Sequence, residues 1–487
     1  MIFNSIQYLV FFPVVVLLYF NTPPKYKNLL LLAASYYFYM CWNPIYAILI
    51  IFSTVSTYLA GYLIIKSNNI IQKKTALAVN IVINLLILFS FKYYNFFVES
   101  LIRIFEVGGI EFIIPKSTFL LPVGISFYTF QALGYSIDVY RKTVIHEHNF
   151  INYALFVSFF PQLVAGPIER SNHLLPQFQS HYSFDYDRVV SGLRLILWGF
   201  FEKIVLADNL SVIVDNVYNH PEEFTGLPIM IATIAFAFQI FCDFAGYSHI
   251  AIGSARVLGY RLMTNFDKPY HAKNVREFWR RWHISLSTWF KDYVYIPLGG
   301  NRVSYARINF NIMITFLVSG LWHGANWTYV IWGGLHGMYL VMSNMTSDVR
   351  ARIADAIGLG KVPRLHCALQ ITSTFILVTF AWIFFRAASV NDAIYIITRM
   401  FDITIPKNLG DLFTMLRLFG CGGLMILTVF PAWCIMEMVH ILQTKYSINQ
   451  LIMNRSWLTR KLIYIFFILY IVFLGNYGNQ AFIYFQF

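Results

Sequence analysis

The chain has 487 residues, of which 58% are hydrophobic, 18% aromatic and only 12% charged, with a mean hydropathy of +0.59. Soluble globular chains are typically about 45–50% apolar and about 25% charged, so this composition excludes a soluble enzyme or binding module and fits an all-α polytopic membrane protein. The net charge of +13 does not imply nucleic-acid binding, because the basic residues lie between apolar runs, where a membrane surface accounts for them.

The run from Ser5 to Phe20 lacks a basic leading segment and a small-residue cleavage site, so a spanning helix is expected rather than a cleaved signal. It ends at a turn carrying Lys25 and Lys27, which the positive-inside rule assigns to the cytoplasm, leaving the N-terminus outside. Further crossings are expected over Leu29–Trp42, from Asn43-Pro44 back to the lysines of 66–74, over Thr75–Phe97 and over Phe119–Tyr140. The apolar stretch Asn152–Pro167 is too short and too proline-marked to cross, and is expected to be re-entrant or interfacial with its backbone covered by protein. Crossings at Val189–Leu206 and Ile229–Ile252 then lead to a basic region, 256–307, interleaved with Trp279, Trp282 and Trp289. That region reads as an amphipathic helix on the cytoplasmic face.

The remaining crossings are expected at Asn309–Trp322, Tyr329–Ser343, Gln370–Phe385, Leu416–Leu442 and Leu462–Gly475. The total is about 11 to 12 at about 20 residues each, forming one integral domain over 1–487 in which 308–345 is a helix pair. No internal repeat is visible, which argues against the inverted-repeat transporter folds. Cys41, Cys242, Cys367, Cys421 and Cys434 are scattered without metal-ligand or redox spacing, so no disulfide framework and no metal site are expected.

Two stretches place polar chemistry where a membrane protein should have little. On a helical reading of 276–290, Arg276, Arg280, His283 and Ser287 share one face, with Trp279 beside them. In 321–327, His323 sits between Gly320 and Gly324 at the edge of an apolar run, with Trp322, Asn326, Trp327 and His336 nearby. An ionisable side chain at membrane depth is expensive and by default lines a cavity or carries function. Each histidine also has a plain packing reading, and the arginines and tryptophans could be interfacial anchors. The functional reading makes histidine a base, since it titrates near pH 6.5, and makes the arginines ligands for a phosphate-bearing cofactor such as coenzyme A. Asp243 and Asp138 read as buried carboxylates with packing partners. No glycine-rich phosphate loop, nucleophile elbow or metal-binding helix motif is present, which leaves histidine as the catalyst.

These stretches resemble the membrane-bound O-acyltransferase family, in the bacterial branch that serves alginate and peptidoglycan O-acetylation. The resemblance is carried in order by 121–131 (LPVGISFYTFQ), 159–168 (FFPQLVAGPI), 243–248 (DFAGYS), 278–287 (FWRRWHISLS), 293–302 (YVYIPLGGNR), 321–325 (LWHGA) and 482–487 (FIYFQF). One departure is His249, where the branch pattern carries an acidic residue. The resemblance implies a ring of helices with a thinned centre in the bacterial cytoplasmic membrane, through which a cytoplasmic acyl thioester meets an acceptor from outside. It places the family's catalytic histidine on His323 and its second prominent histidine on His283. Trp279, Arg280, Ser287, Trp322, Asn326 and Trp327 are the expected substrate-binding residues. The resemblance implies acetyl-coenzyme A as donor, with no resident cofactor. Membrane lipids, an extracytoplasmic acetyltransferase partner protein and a polysaccharide acceptor are the expected partners. Two other readings stay open: D-alanyl transfer from a carrier-protein thioester toward teichoic acid, and a non-enzymatic polysaccharide or lipid transporter.

Overall fold

A continuous apolar sequence can satisfy its backbone in lipid only by coiling into helices. The computed structural model is helical throughout and contains no strand among the residues it describes, which are all except 111–113, 404–407, 419, 421, 479–481 and 484–487, with the side chains of 412, 418 and 424 also undescribed. Cys421 and the last four residues of the 482–487 motif therefore lie outside the described residues. Among the described residues, six helices are long and apolar enough to span: Pro44–Lys66, Ile70–Val107, Leu227–Leu258, Pro363–Arg386, Met425–Gln443 and Trp457–Leu474. The shorter apolar helix Ile6–Asn21 and the more polar pair Tyr305–His323 and Trp327–Met345 account for others of the expected crossings, while the apolar stretch Phe150–Leu163 falls where a non-crossing element is expected. The expected fourth span continues without a break through a π-turn at Phe89–Tyr93. The fifth is shorter than expected, because Gly124 adopts a left-handed conformation (φ +76°) and the helix starts only at Ile125.

Helix starts follow the polar residues ahead of each apolar run. Asn69, Asn149, Asn274 and Asn326 accept from the first free backbone N–H groups of their helices, and Ser5, Ser389 and Ser456 do the same.

The chain divides into two compact units, residues 1–196 with 248–264 and residues 197–247 with 265–487. In the first, side-chain polar pairs join the helices: Thr57 to Tyr153 at 2.6 Å, Ser53 to Asn84 at 2.8 Å and Asn80 to Ser136 at 3.1 Å. The stretch from Asn152 to Pro167 is buried throughout, as its composition requires. The helix breaks at Phe159, and side chains satisfy the backbone groups freed there: Ser35 Oγ accepts from Phe160 N (3.0 Å), and Gln162 Nε2 donates to Phe156 O (2.9 Å).

In the second unit, the expected partner of Asp243 is Lys203, which is buried between Asp243 (2.5 Å) and Asp208 (2.7 Å). Ile483 N donates to Asp243 Oδ2 (2.7 Å) and Asn476 N to Ile204 O (3.1 Å), which ties Ile483 to this cluster and Asn476 beside it. The helix pair Tyr305–His323 and Trp327–Met345 packs backbone against backbone. A Cβ on Gly320 would lie 2.3 Å from Tyr329 O, and one on Gly333 would lie 2.3 Å from Phe316 O. Only glycine permits that approach.

Candidate active site

The single helical face expected across Arg276–Ser287 does not form. A helix covers Val275–Arg281, capped by Asn274 Oδ1 accepting from Glu277 N (2.9 Å), and a second covers Ile284–Phe290. Between them Trp282 is extended and His283 adopts φ +43°, a left-handed conformation uncommon for a residue with a Cβ. The preceding segment holds the break in place. Ile284 N donates to Asn265 O and Asp267 N to Arg281 O, both at 2.9 Å. Asn265 Oδ1 accepts from Ser285 N (3.3 Å) and Ser285 Oγ (2.9 Å), and lies 3.1 Å from His283 Nδ1. The turn therefore sends His283 inward, where it is 0% exposed, while Arg276, Arg280 and Ser287 stay together on a different surface.

This geometry selects a tautomer. The atom facing His283 also receives a backbone N–H, so it is the amide oxygen of Asn265 and can only accept. The imidazole then carries its proton on Nδ1 and its lone pair on Nε2. Complete burial holds the ring neutral, pushing its pKa down from 6.5 to about 3.

His323 is the last residue of its helix and is 2% exposed. Its ring packs edge-on to Trp322 at 5.0 Å and to Trp332 at 4.9 Å, and lies 5.5 Å from Phe385. The His283 ring stands 6.4 Å away, so the tertiary fold brings together two histidines that are 40 positions apart in sequence. His336 is beyond Trp332, at 5.1 Å, and its Nδ1 accepts from Trp279 Nε1 at 3.2 Å. Trp382 stacks on Trp332 at 5.6 Å.

The other expected site residues separate into two groups. Trp279, Arg280 and Ser287, with Arg276 and Lys291, line a cavity of about 490 Å³. Ser287 and Ser319, both on its wall, are each four residues from a histidine, one helical turn from His283 and His323 respectively. The cationic wall and the two serines suit a phosphate-bearing chain with a polar reacting end. Trp322 lies with the histidines, its ring 6.2 Å from that of His283. Asn326 and Trp327 do not join either group. Asn326 caps the next helix by accepting from Thr328 N (3.1 Å) and donates through Nδ2 to Ala388 O (3.0 Å), while Trp327 is 51% exposed. The tryptophans read as interfacial anchors also turn inward, with Trp279 9% exposed, Trp282 0% and Trp289 7%, because the break at His283 folds both short helices back on the unit. Asn265, Trp332, Trp382 and Phe385 complete the surroundings, and no spacing in the sequence marks them.

Residues 139–390 match the model of the membrane-bound O-acyltransferase family. The chain is 40% identical over 369 residues to the probable alginate O-acetylase of Pseudomonas aeruginosa, covering 75% of this chain and 68% of that protein. It is 33% identical over 389 residues to the peptidoglycan O-acetyltransferase of Helicobacter pylori, covering 74% and 71%. The teichoic acid D-alanyltransferase of Streptococcus thermophilus is 34% identical over a shorter 235 residues, 46% of this chain and 56% of that protein.

Proposed function

The chain belongs to the membrane-bound O-acyltransferase family, and from that premise we propose that it moves an acetyl group from a cytoplasmic thioester across the membrane to a hydroxyl. The acceptor is an extracytoplasmic polysaccharide, or a partner protein that completes polysaccharide O-acetylation. Acetyl-coenzyme A is the donor and enters through the Arg276–Arg280 cavity, where paired guanidinium groups suit its phosphates. The bacterial cytoplasmic membrane is where such a donor and such an acceptor approach from opposite sides.

In the proposed reaction His323 removes the proton from the acceptor hydroxyl as its oxygen bonds to the thioester carbonyl carbon. The tetrahedral intermediate then expels sulfur, breaking the C–S bond. The imidazolium returns its proton to the leaving thiolate, so the products are an acetyl ester and a free thiol. Positioned proton transfer of this kind contributes about 10²–10⁴-fold, and holding donor and acceptor together contributes further. His283, with its lone pair on Nε2, orients the reacting groups. The burial of both rings excludes water that would hydrolyse the thioester. Asn326, as a helix cap, and Trp327, at the surface, take no part in oxyanion stabilisation in this scheme.

The observation that carries the reading is the pair of buried histidines 6.4 Å apart in the same unit as an arginine-walled cavity. The test is transfer of radiolabelled acetyl from acetyl-coenzyme A by protein in nanodiscs. Wild type consumes the thioester; His323→Ala, folded and still binding coenzyme A, does not. If wild type neither binds nor cleaves acetyl-coenzyme A but turns over a D-alanyl carrier-protein thioester, the D-alanyl reading, favoured by the Streptococcus thermophilus relative, replaces this one. Turnover of neither donor leaves transport.

A further inference from the structure

The turn Pro269–His271 and the helix Gly423–Gln443 meet at a cluster that the acyl-transfer chemistry does not use. Glu437 and His440 stand three residues apart on one face of that helix, and His271 reaches them from 166 positions earlier in the chain. His271 Nε2 lies 2.7 Å from Glu437 Oε2. His440 Nδ1 faces the other carboxylate oxygen at 3.6 Å, outside hydrogen-bond distance, and has no hydrogen-bond partner among the described residues, although His440 is only 6% exposed. The pair is a long charge contact rather than a hydrogen bond, so a buried imidazole nitrogen keeps hydrogen-bonding capacity that packing alone does not use.

We propose that His271, Glu437 and His440 form a binding site for one divalent transition-metal ion, with zinc the best fit. One donor atom from each residue falls within a sphere in which all three are within 4.8 Å of one another. Zinc bonds to imidazole nitrogen and carboxylate oxygen at about 2.0–2.2 Å, which sets ligand atoms about 3.3 Å apart in a tetrahedron. His271 and Glu437 are partly exposed, so their side chains have room to rotate toward that spacing as the ion binds. Two imidazoles and a carboxylate suit zinc and its neighbours, whereas calcium and magnesium prefer all-oxygen shells. With three protein ligands the fourth position takes water. The ion would tie the Gly423–Gln443 helix to the turn four residues ahead of Val275–Arg281, the helix that presents Trp279 and Arg280. The site stands independently of the acyl donor's identity.

The experiment uses the full chain, freed of any affinity tag, stripped with EDTA in detergent and titrated with Zn²⁺, with bound metal measured by elemental analysis. Wild type is expected to retain one equivalent more than the His271→Ala, Glu437→Gln, His440→Ala triple variant, and Zn²⁺ is expected to raise the Tm of wild type alone. Single loss of His440 is expected to weaken binding at least ~10-fold. Equal zinc content in wild type and a folded triple variant overturns the proposal. Where the triple variant does not fold, Co²⁺ added to wild type decides. The visible absorption of a four-coordinate ion with nitrogen and oxygen ligands upholds the site, and its absence refutes it.

Discussion

The position of His323 rests on a glycine contact two helical turns away. In Gly333→Ala the new Cβ would stand 2.3 Å from Phe316 O and 3.1 Å from Gly320 Cα, about 1 Å inside ordinary contact. Both obstacles are backbone, so no rotamer change relieves them, and the Tyr305–His323 helix must move away by about 1 Å. Alanine returns up to ~1 kcal/mol of helix propensity, while overpacking costs ~1–3 kcal/mol, so the net destabilisation is small, about 0–2 kcal/mol. The geometric effect is larger, because Trp332, next to Gly333, packs on the His323 ring at 4.9 Å. A misplacement of that size at a catalytic group costs ~10²-fold in rate. Gly334→Ala is the matched control, since its nearest neighbour is a side-chain carbon, Leu317 Cδ2, at 3.5 Å. It is expected to gain up to ~1 kcal/mol and to keep full activity. The assay is acetyl transfer in nanodiscs beside thermal unfolding by intrinsic fluorescence. The reasoning fails if Gly333→Ala, at unchanged Tm, transfers acetyl as fast as Gly334→Ala.

Three further outcomes are expected. His283 has a folded pKa of about 3, below its ordinary 6.5, so the unfolded chain binds a proton that the folded chain does not; its contribution to stability is complete above pH 6.5 and is lost as pH falls from 6.5 toward 3. Thermal unfolding between pH 7 and 5 should therefore show a steeper loss of Tm for wild type than for His283→Gln, and parallel curves would refute the assignment. Asn265→Ala leaves the Ser285 donors and the His283 ring without their shared acceptor, which should cost ~1–3 kcal/mol in chemical denaturation, whereas Asn265→Asp keeps an acceptor there. Arg280→Ala, at the cavity wall, should raise KM for acetyl-coenzyme A ~10-fold or more with little change in kcat, as expected for lost ground-state binding; a fall in kcat alone would place the donor elsewhere.

Much of this protein was legible from one dimension. Hydropathy alone requires helices, because lipid offers no partner for backbone groups, and it located the Tyr305–His323 and Trp327–Met345 pair to within a few residues. The proline-marked stretch after Asn152 read correctly as covered by protein, since no exposed irregular backbone survives in lipid. Charge spacing singled out His283, His323 and Arg280 as candidates only, because ionisable groups are conspicuous against an apolar background. Periodicity failed at His283, where it predicts a continuous helix: the left-handed turn there is held by Asn265, which lies 18 positions earlier, and no helical pattern encodes a partner at that distance. The same limit hid Trp332, Trp382 and Phe385 around His323, as well as the meeting of His271 with Glu437 and His440. Composition and period determine which segments coil and which face water or lipid. Packing of segments far apart in the chain decides which side chains meet, and in this protein both the buried histidine pair and the His271–Glu437–His440 cluster exist only at that level.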